Sequence, residues 1–117
     1  MKKVTAKVIN KITVNFSQYL IHPNGDPISF PKQVEGTNKI EMEVKTLGVI
    51  CADALFATFE EDRELTGTQK NLLGELGAKI YKGGEVQLTS EEASTIKKRI
   101  ASGYGPLVVF LINQIIP

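Results

Sequence analysis

The chain has 117 residues, 42% of them apolar and 23% charged, which is typical of one soluble globular domain with a modest core. Its formal net charge of +1 gives no overall field that would favour nucleic acid or an acidic substrate. The single cysteine, Cys51, excludes a disulfide within these residues and is typical of a reducing compartment. We recognise no secretory signal, so we expect a cytoplasmic protein.

The N-terminal segment predicts a long, half-buried strand over residues 4–16. Apolar side chains at most even positions alternate there with Lys3, Lys7, Lys11 and other polar residues. Such alternation is typical of a strand with one face on a core. The lysines either keep an exposed strand edge from pairing with other chains or contact nucleic acid, and we favour the first interpretation.

The segment after this strand predicts a turn and two further strands. Residues 22–27 (HPNGDP) form the strongest turn signal in the chain, because Asn-Gly suits positive φ and the prolines fix the flanks. Residues 28–30 would be the return strand, and Pro31 indicates an edge or an exit from it. Residues 32–40 are predicted as a loop or insertion, and alternation over 40–44 indicates a third short strand.

From Thr46 onward the apolar period changes from two to 3.6, which predicts helices. Thr46 is a candidate N-cap of a first helix that should end in the acidic patch of residues 60–64. Thr66 to Gln69 and Thr89 to Glu92 both match the capping-box pattern and predict the starts of a second and a third helix. The predicted inner face of the second helix is Leu72, Leu73, Leu76, Ile80 and Tyr81.

Two further features of these helices are informative. Gly74 and Gly77 lie within the second helix, where glycine costs about 1 kcal/mol, so we expect another element to approach closely there. Val86 and Leu88 are interpreted as a linker to the third helix. Lys97, Lys98 and Arg99 lie near the end of that helix, where cations are favourable for the helix dipole.

The C-terminal run of residues 104–117 contains no charged residue and is predicted to be central to the core. Its β-branched content would suit a buried strand as well as a helix, and periodicity does not decide between them. Pro106 suits the first position of a helix, so we favour a helix over 106–116. The run is shorter than the roughly 20 residues that a membrane-spanning helix needs.

These elements predict the α+β class, with an N-terminal β-hairpin or three-stranded meander followed by a bundle of about four helices. We expect residues 1–117 to form one domain, β-rich over 1–45 and helical over 46–117.

Residue chemistry gives little support for catalysis. His22 is the only histidine and lies in a turn, and Cys51 lies on an apolar helix face. No phosphate-binding glycine loop is present, and one His with one Cys is a poor donor set for zinc. We therefore expect no enzyme, no cofactor and no metal site.

Several segments resemble a group of small phage and prophage proteins of unassigned function, over about three quarters of the chain from Asn24 onward. The segments that carry the resemblance are residues 24–28 (NGDPI), 46–48 (TLG), 54–55 (AL), 65–67 (LTG), 76–80 (LGAKI), 84–92 (GEVQLTSEE), 96–98 (IKK) and 104–109 (YGPLVV). They are mostly caps, turns and core positions. The resemblance implies a phage-encoded accessory protein without catalysis that binds other proteins, for example in virion assembly.

Three functions are therefore considered. The first is a non-enzymatic phage or prophage accessory protein that binds a phage structural protein or a host factor, or forms a homo-oligomer, in the host cytoplasm or the virion. The second is an anti-defence inhibitor whose acidic stretch mimics nucleic acid toward a host nuclease or sensor. The third, less favoured, is a small nucleic-acid-binding protein that uses the basic N-terminal strand. The candidate interaction residues are Lys3, Lys7, Lys11, Glu60, Glu61, Asp62, Phe110 and Ile112.

Overall fold

A computed structural model describes residues 11–117 and confirms the α+β class. In these residues three short strands precede the first of four α-helices, and a fourth strand lies between the second and third helices. In chain order the elements are β1 (Ile12–Asn15), β2 (Ser29–Gln33), β3 (Ile40–Val44), α1 (Leu47–Phe56), a 3-10 helix (Glu60–Glu64), α2 (Gly67–Tyr81), β4 (Glu85–Leu88), α3 (Ser90–Gly103) and α4 (Pro106–Ile115).

The first described strand pairs with a partner that the sequence did not indicate. β1 runs antiparallel to β4, with Ile12 opposite Leu88 and Asn15 opposite Glu85. The interpretation of Val86 and Leu88 as a linker is therefore wrong, because both lie in a strand. The rest of the predicted N-terminal strand, residues 4–10, lies outside the described residues.

The turn at residues 22–27 is confirmed. Gly25 has a φ of 98°, and the backbone N–H of His22 donates to the carbonyl of Asp26 at 2.8 Å. This turn brings Ile21 opposite Pro27. The return does not continue along β1, however, because the chain passes into a separate hairpin formed by β2 and β3.

The β2–β3 hairpin is longer than predicted, since β2 continues through Pro31 to Gln33. Of the two alternatives for Pro31, the edge strand is therefore right and the exit from the sheet is wrong. Val34 N–H donates to Lys39 O at 3.0 Å, so these two residues form a hydrogen-bonded pair. Such pairs alternate along an antiparallel ladder, so the nitrogen of Pro31 points away from β3. The proline therefore removes no hydrogen bond between the strands.

The helices start where the capping signals predicted. Thr66 Oγ1 accepts from Gln69 N at 3.1 Å, while the Gln69 side chain accepts from Thr66 N at 2.9 Å. Thr89 and Glu92 form the same reciprocal pair at the start of α3. The C-terminal run is helical, as favoured, with Pro106 in its first turn.

The centre of the core is α1 and not the C-terminal run. Seven of the ten residues of α1 are buried, among them Ile50, Cys51 and Leu55. The core also contains the fully buried side chains Phe16, Leu20, Leu47, Ile80, Leu88, Ile96, Ile100, Ile112 and Ile116. Helix α4 covers one side of this core with its face of Val108 and Ile112.

Candidate interaction surface

The β2–β3 hairpin carries an apolar stripe on the face that points away from the core. Ile40, Met42 and Val44 are 68%, 63% and 45% exposed, and they alternate along β3. Pro31 lies opposite Met42 and adds to the same face, because residues opposite each other in a sheet share a face. An apolar stripe in this position contributes little to the fold of the monomer.

The opposite face of the hairpin attaches it to the helices. The Phe30 ring meets the Tyr104 ring edge-on, with ring centroids 6.1 Å apart. Lys45 Nζ lies 5.7 Å from the centroid of the Phe30 ring. Lys32 pairs with Glu43 on this face at 3.4 Å, so the charged side chains of the hairpin lie on the side of its attachment.

The two outer edges of the hairpin differ in their capacity to accept another strand. Within residues 11–117, β3 pairs in its sheet with β2 alone. Phe30 with Glu43 and Lys32 with Glu41 are hydrogen-bonded pairs of the ladder, because such pairs alternate from Val34 and Lys39 onward. The backbone N–H and C=O groups of Ile40, Met42 and Val44 therefore point away from β2. The edge of β2 lacks a donor at Pro31. The β3 edge is therefore the better template for a partner strand.

The predicted basic residues are only partly within the described structure. Lys3 and Lys7 lie outside the described residues. Lys11 is exposed and precedes β1 directly.

The predicted acidic cluster is divided by the fold. Glu60 and Glu61 are exposed, and Glu61 Oε1 accepts a hydrogen bond from Ser102 Oγ at 2.6 Å. Asp62, in contrast, is only 7% exposed and forms an ion pair with Arg99 at 2.5 Å. Asp62 is thus not part of an acidic surface, and its place among the interaction residues is a correction.

The Asp62–Arg99 pair joins three elements. Arg99 Nε and one terminal nitrogen also donate to the carbonyls of Ala54 and Ala57, at 3.1 and 2.6 Å. These carbonyls belong to the C-terminal end of α1, where helices leave acceptors without partners. The hydrogen bond from Arg99, with a second from the backbone N–H of Phe59, holds the pKa of Asp62 below its usual value. The role of this pair is structural.

The two candidates on α4 point in opposite directions. Phe110 is 56% exposed and lies one turn from the exposed Leu107. Ile112 is fully buried in the core, so it is not available to a partner of the folded chain, and its prediction as a contact is corrected. Only the Phe110 side of α4 presents apolar surface.

His22 and Cys51 are the two remaining side chains whose chemistry the sequence singled out. His22 Nδ1 accepts a hydrogen bond from Asn24 N at 3.0 Å within the turn. Burial raises the pKa of the Cys51 thiol to about 12, which leaves little thiolate at neutral pH. Among residues 11–117 no group of three or more His, Cys, Asp or Glu side chains is placed to hold a metal ion.

Sequence reasoning missed the stripe of Ile40, Met42 and Val44 as a candidate surface. The signal was present, since alternation with Glu41 and Glu43 predicted the strand. Alternation does not tell which face of a strand meets the core, and the apolar face is usually assigned inward. Here the phenylalanine of β2 attaches the other face.

None of the family models, curated proteins or solved structures compared with the chain matches it. The resemblance to phage proteins therefore stays a prediction. In the part of the chain that the structure describes, no helix is both long and apolar enough to span a bilayer.

Proposed function

We propose that the chain is a non-enzymatic protein that acts by binding an extended segment of another protein along β3. The observation that carries this proposal is the stripe of Ile40, Met42 and Val44, which is exposed on the outer face of the hairpin. Exposed apolar side chains that are contiguous mark interaction sites more often than isolated ones do.

Strand addition fits both the backbone and the side chains of this edge. An added strand would gain main-chain hydrogen bonds from Ile40, Met42 and Val44, and its own apolar side chains would extend the stripe. Glu41 is exposed and forms no ion pair with another described residue. A basic residue opposite it would be favourable, so the expected partner segment alternates apolar and basic residues.

The biological context of this binding follows from the resemblance alone. We propose a phage or prophage accessory protein whose partner is a phage structural protein or a host factor, with virion assembly as the process. Because Asp62 is buried, it cannot belong to the acidic surface that the inhibitor hypothesis requires. Glu60, Glu61 and Glu64 are exposed and could still belong to it. The nucleic-acid hypothesis rests mainly on Lys3 and Lys7, outside the described residues.

The proposal is tested by photo-crosslinking from the hairpin in phage-infected host cells. A photo-reactive residue placed at Ile40 should crosslink to a defined extended peptide, which mass spectrometry identifies. Binding of that synthetic peptide to the purified protein is then measured by calorimetry. We expect Met42→Lys to abolish the binding, because a charge would enter the apolar stripe.

Tyr81→Lys is the matched control, since Tyr81 is an exposed apolar side chain at the far end of α2. It should leave the affinity unchanged. Loss of binding in Phe110→Lys with retention in Met42→Lys would assign the contact to α4 and contradict the hairpin proposal. Crosslinking only to nucleic acid would contradict binding of a protein.

A further inference from the structure

A cavity of about 440 Å³ lies between the C-terminal end of α1, the 3-10 helix and the first half of α2. Its volume is within the range of about 300–1,000 Å³ that is usual for small-molecule sites. The apolar part of its lining consists of Leu55, Phe56, Leu65 and Leu73. Phe56 is 50% exposed, so much of its ring remains available to a ligand.

The charges that line this cavity are positive on balance. Arg63 and Lys70 line it, and neither forms an ion pair with another described residue. Asp62 also lines it, but Asp62 Oδ1 accepts from Arg99 and Oδ2 accepts from the backbone N–H of Phe59. The other acids of the 3-10 helix are exposed and lie outside the lining. The cavity therefore favours an anion, because a cleft lined by one sign of charge attracts ligands of the other.

The face of α2 that meets α1 differs from the predicted inner face. Leu72 is 59% exposed, while Gly77 is buried against the Phe56 ring. Gly74 lies between Lys70 and Gly77 in a row of positions three and four apart, so a Cβ at Gly74 would point toward the cavity. Within residues 11–117 that Cβ would meet nothing within 4 Å, so packing gives no reason for a glycine that weakens the helix. Close contact of a ligand with the backbone of α2 supplies such a reason.

We propose that this cavity binds a small aromatic anion. The ring of the ligand lies against Phe56 and the backbone of Gly74, and its anionic group lies near Arg63 and Lys70. Contact between two aromatic rings is favourable beyond the apolar area that it buries. A guanidinium presents two parallel N–H donors to a carboxylate or a phosphate group. The lining residues lie outside the hairpin, so this site is separate from the one proposed along β3.

The proposal is tested by titration of the ¹⁵N-enriched full chain with cinnamate, followed by NMR. We expect amide peaks of Arg63, Lys70 and Gly74 to shift and to saturate with a Kd on the order of 1 mM. Peaks of residues 40–44 in the hairpin should not shift. Cinnamamide, a neutral molecule of the same shape, should bind about tenfold more weakly, because it offers no charge to the two cations. Equal affinity of the two probes, or the lack of saturable shifts at the cavity, would overturn the proposal.

Gly74→Ala tests the site without unfolding it, because alanine is the better helix former. Its methyl group would occupy part of the cavity, so we expect cinnamate to bind about tenfold more weakly. Gly67→Ala is the matched control, since Gly67 also lies in α2 with open space around its Cβ, but outside the lining. It should leave the affinity unchanged. Unchanged affinity in Gly74→Ala would overturn the proposal.

A second pair of variants tests the charges. Arg63→Gln combined with Lys70→Gln should weaken cinnamate by about tenfold and remove its advantage over cinnamamide. Lys39→Gln combined with Lys82→Gln removes the same charge from exposed positions outside the lining and should leave both affinities unchanged. Equal weakening by the two double variants would show a response to net charge alone and would overturn the site.

Discussion

Arg99 shows how a single residue can connect parts of a fold that are distant in sequence. Its guanidinium satisfies two carbonyls at the end of α1 and the carboxylate of Asp62, and it lies 4.5 Å from the centroid of the Phe59 ring. Asp62 in turn accepts from the backbone N–H of Phe59 at 2.8 Å. Because Arg99 and Asp62 are both buried, removal of either side chain leaves the charge of the other without its counterion.

We expect Asp62→Asn to lower the free energy of unfolding by about 3 kcal/mol, because it leaves the Arg99 charge buried without its counterion. Urea unfolding followed by circular dichroism measures this change. Glu61→Gln is the matched control, since Glu61 is the exposed neighbour and should change the free energy by less than about 0.5 kcal/mol. Equal effects of the two substitutions would contradict the structural role of the pair.

The same pair predicts a dependence of stability on pH. The fold lowers the pKa of Asp62 below its ordinary value of 3.8, because Arg99 and the backbone N–H of Phe59 donate to the carboxylate. Its contribution is therefore complete above that value and is lost as pH falls through the folded pKa. Unfolding of the wild type between pH 6 and pH 2 should show this loss, and the Asp62→Asn curve should be flatter in the acidic range.

The sequence did not reveal this pair. Asp62 stands among four other charged residues, and Arg99 follows two lysines at the end of a helix, where each has an ordinary surface explanation. Periodicity describes neighbours along one element, but the partners here are 37 residues apart. Phe59 was the local hint, because an aromatic residue beside the acidic cluster indicates burial there.

At the scale of elements, α1 is held at its start by backbone groups of an extended segment. Leu47 N and Gly48 N donate to the carbonyls of Gln18 and Phe16, at 2.7 and 2.8 Å. These bonds satisfy donors that a helix start leaves without partners. They require α1 to approach residues 16–18 closely, and Gly48 permits this approach because it has no side chain.

We expect Gly48→Ala to lower the free energy of unfolding by about 1–3 kcal/mol, because its Cβ would overlap the backbone carbonyl of Ile80. Gly74→Ala is the matched control, since a Cβ there meets nothing within 4 Å. It should stabilise α2 by about 0.5–1 kcal/mol. Thermal unfolding of both variants shows whether the free energy of unfolding falls in Gly48→Ala and rises in Gly74→Ala. Destabilisation by Gly74→Ala would contradict the open space around that position.

The elements also show where sequence reasoning succeeds. Caps at Thr46, Thr66 and Thr89 were predicted because each signal lies within four residues. β4 was missed because it has four residues and its partner strand lies about 70 residues or more earlier in the chain. Gly77 lies against the Phe56 ring, so the expected close approach of another element occurs there. At Gly74 a Cβ would meet nothing within 4 Å. The spacing of two glycines in a helix does not tell which of them lies against another element.

At the scale of the whole molecule, the side chains that stabilise the core differ from those on the outer face of the hairpin. The core depends on α1 and its surrounding side chains, and the hairpin contacts it through Phe30, Tyr104 and Lys45. The stripe of Ile40, Met42 and Val44 takes no part in that core. Substitutions on the stripe should therefore change binding without changing global stability.

The Cys51 thiol provides a probe of this separation. It is fully buried at the centre of α1, and burial raises its pKa to about 12. Reaction with a thiol reagent therefore requires opening of the core, and its rate follows the population of the open state when reclosing is fast. At equal reagent and pH 8, we expect Asp62→Asn to increase the rate by about 100-fold, because every 1.4 kcal/mol is tenfold in population.

Met42→Lys should react at the wild-type rate, since the hairpin stripe does not stabilise the core. The reaction rate of Cys51 thus reports the stability of the core, which Asp62→Asn should lower and Met42→Lys should leave unchanged. Equal, fast reaction of the wild type and both variants would contradict this account, because it would show that α1 opens locally without global unfolding. A faster rate in Met42→Lys alone would show that the stripe packs on the core and is not free to bind a partner.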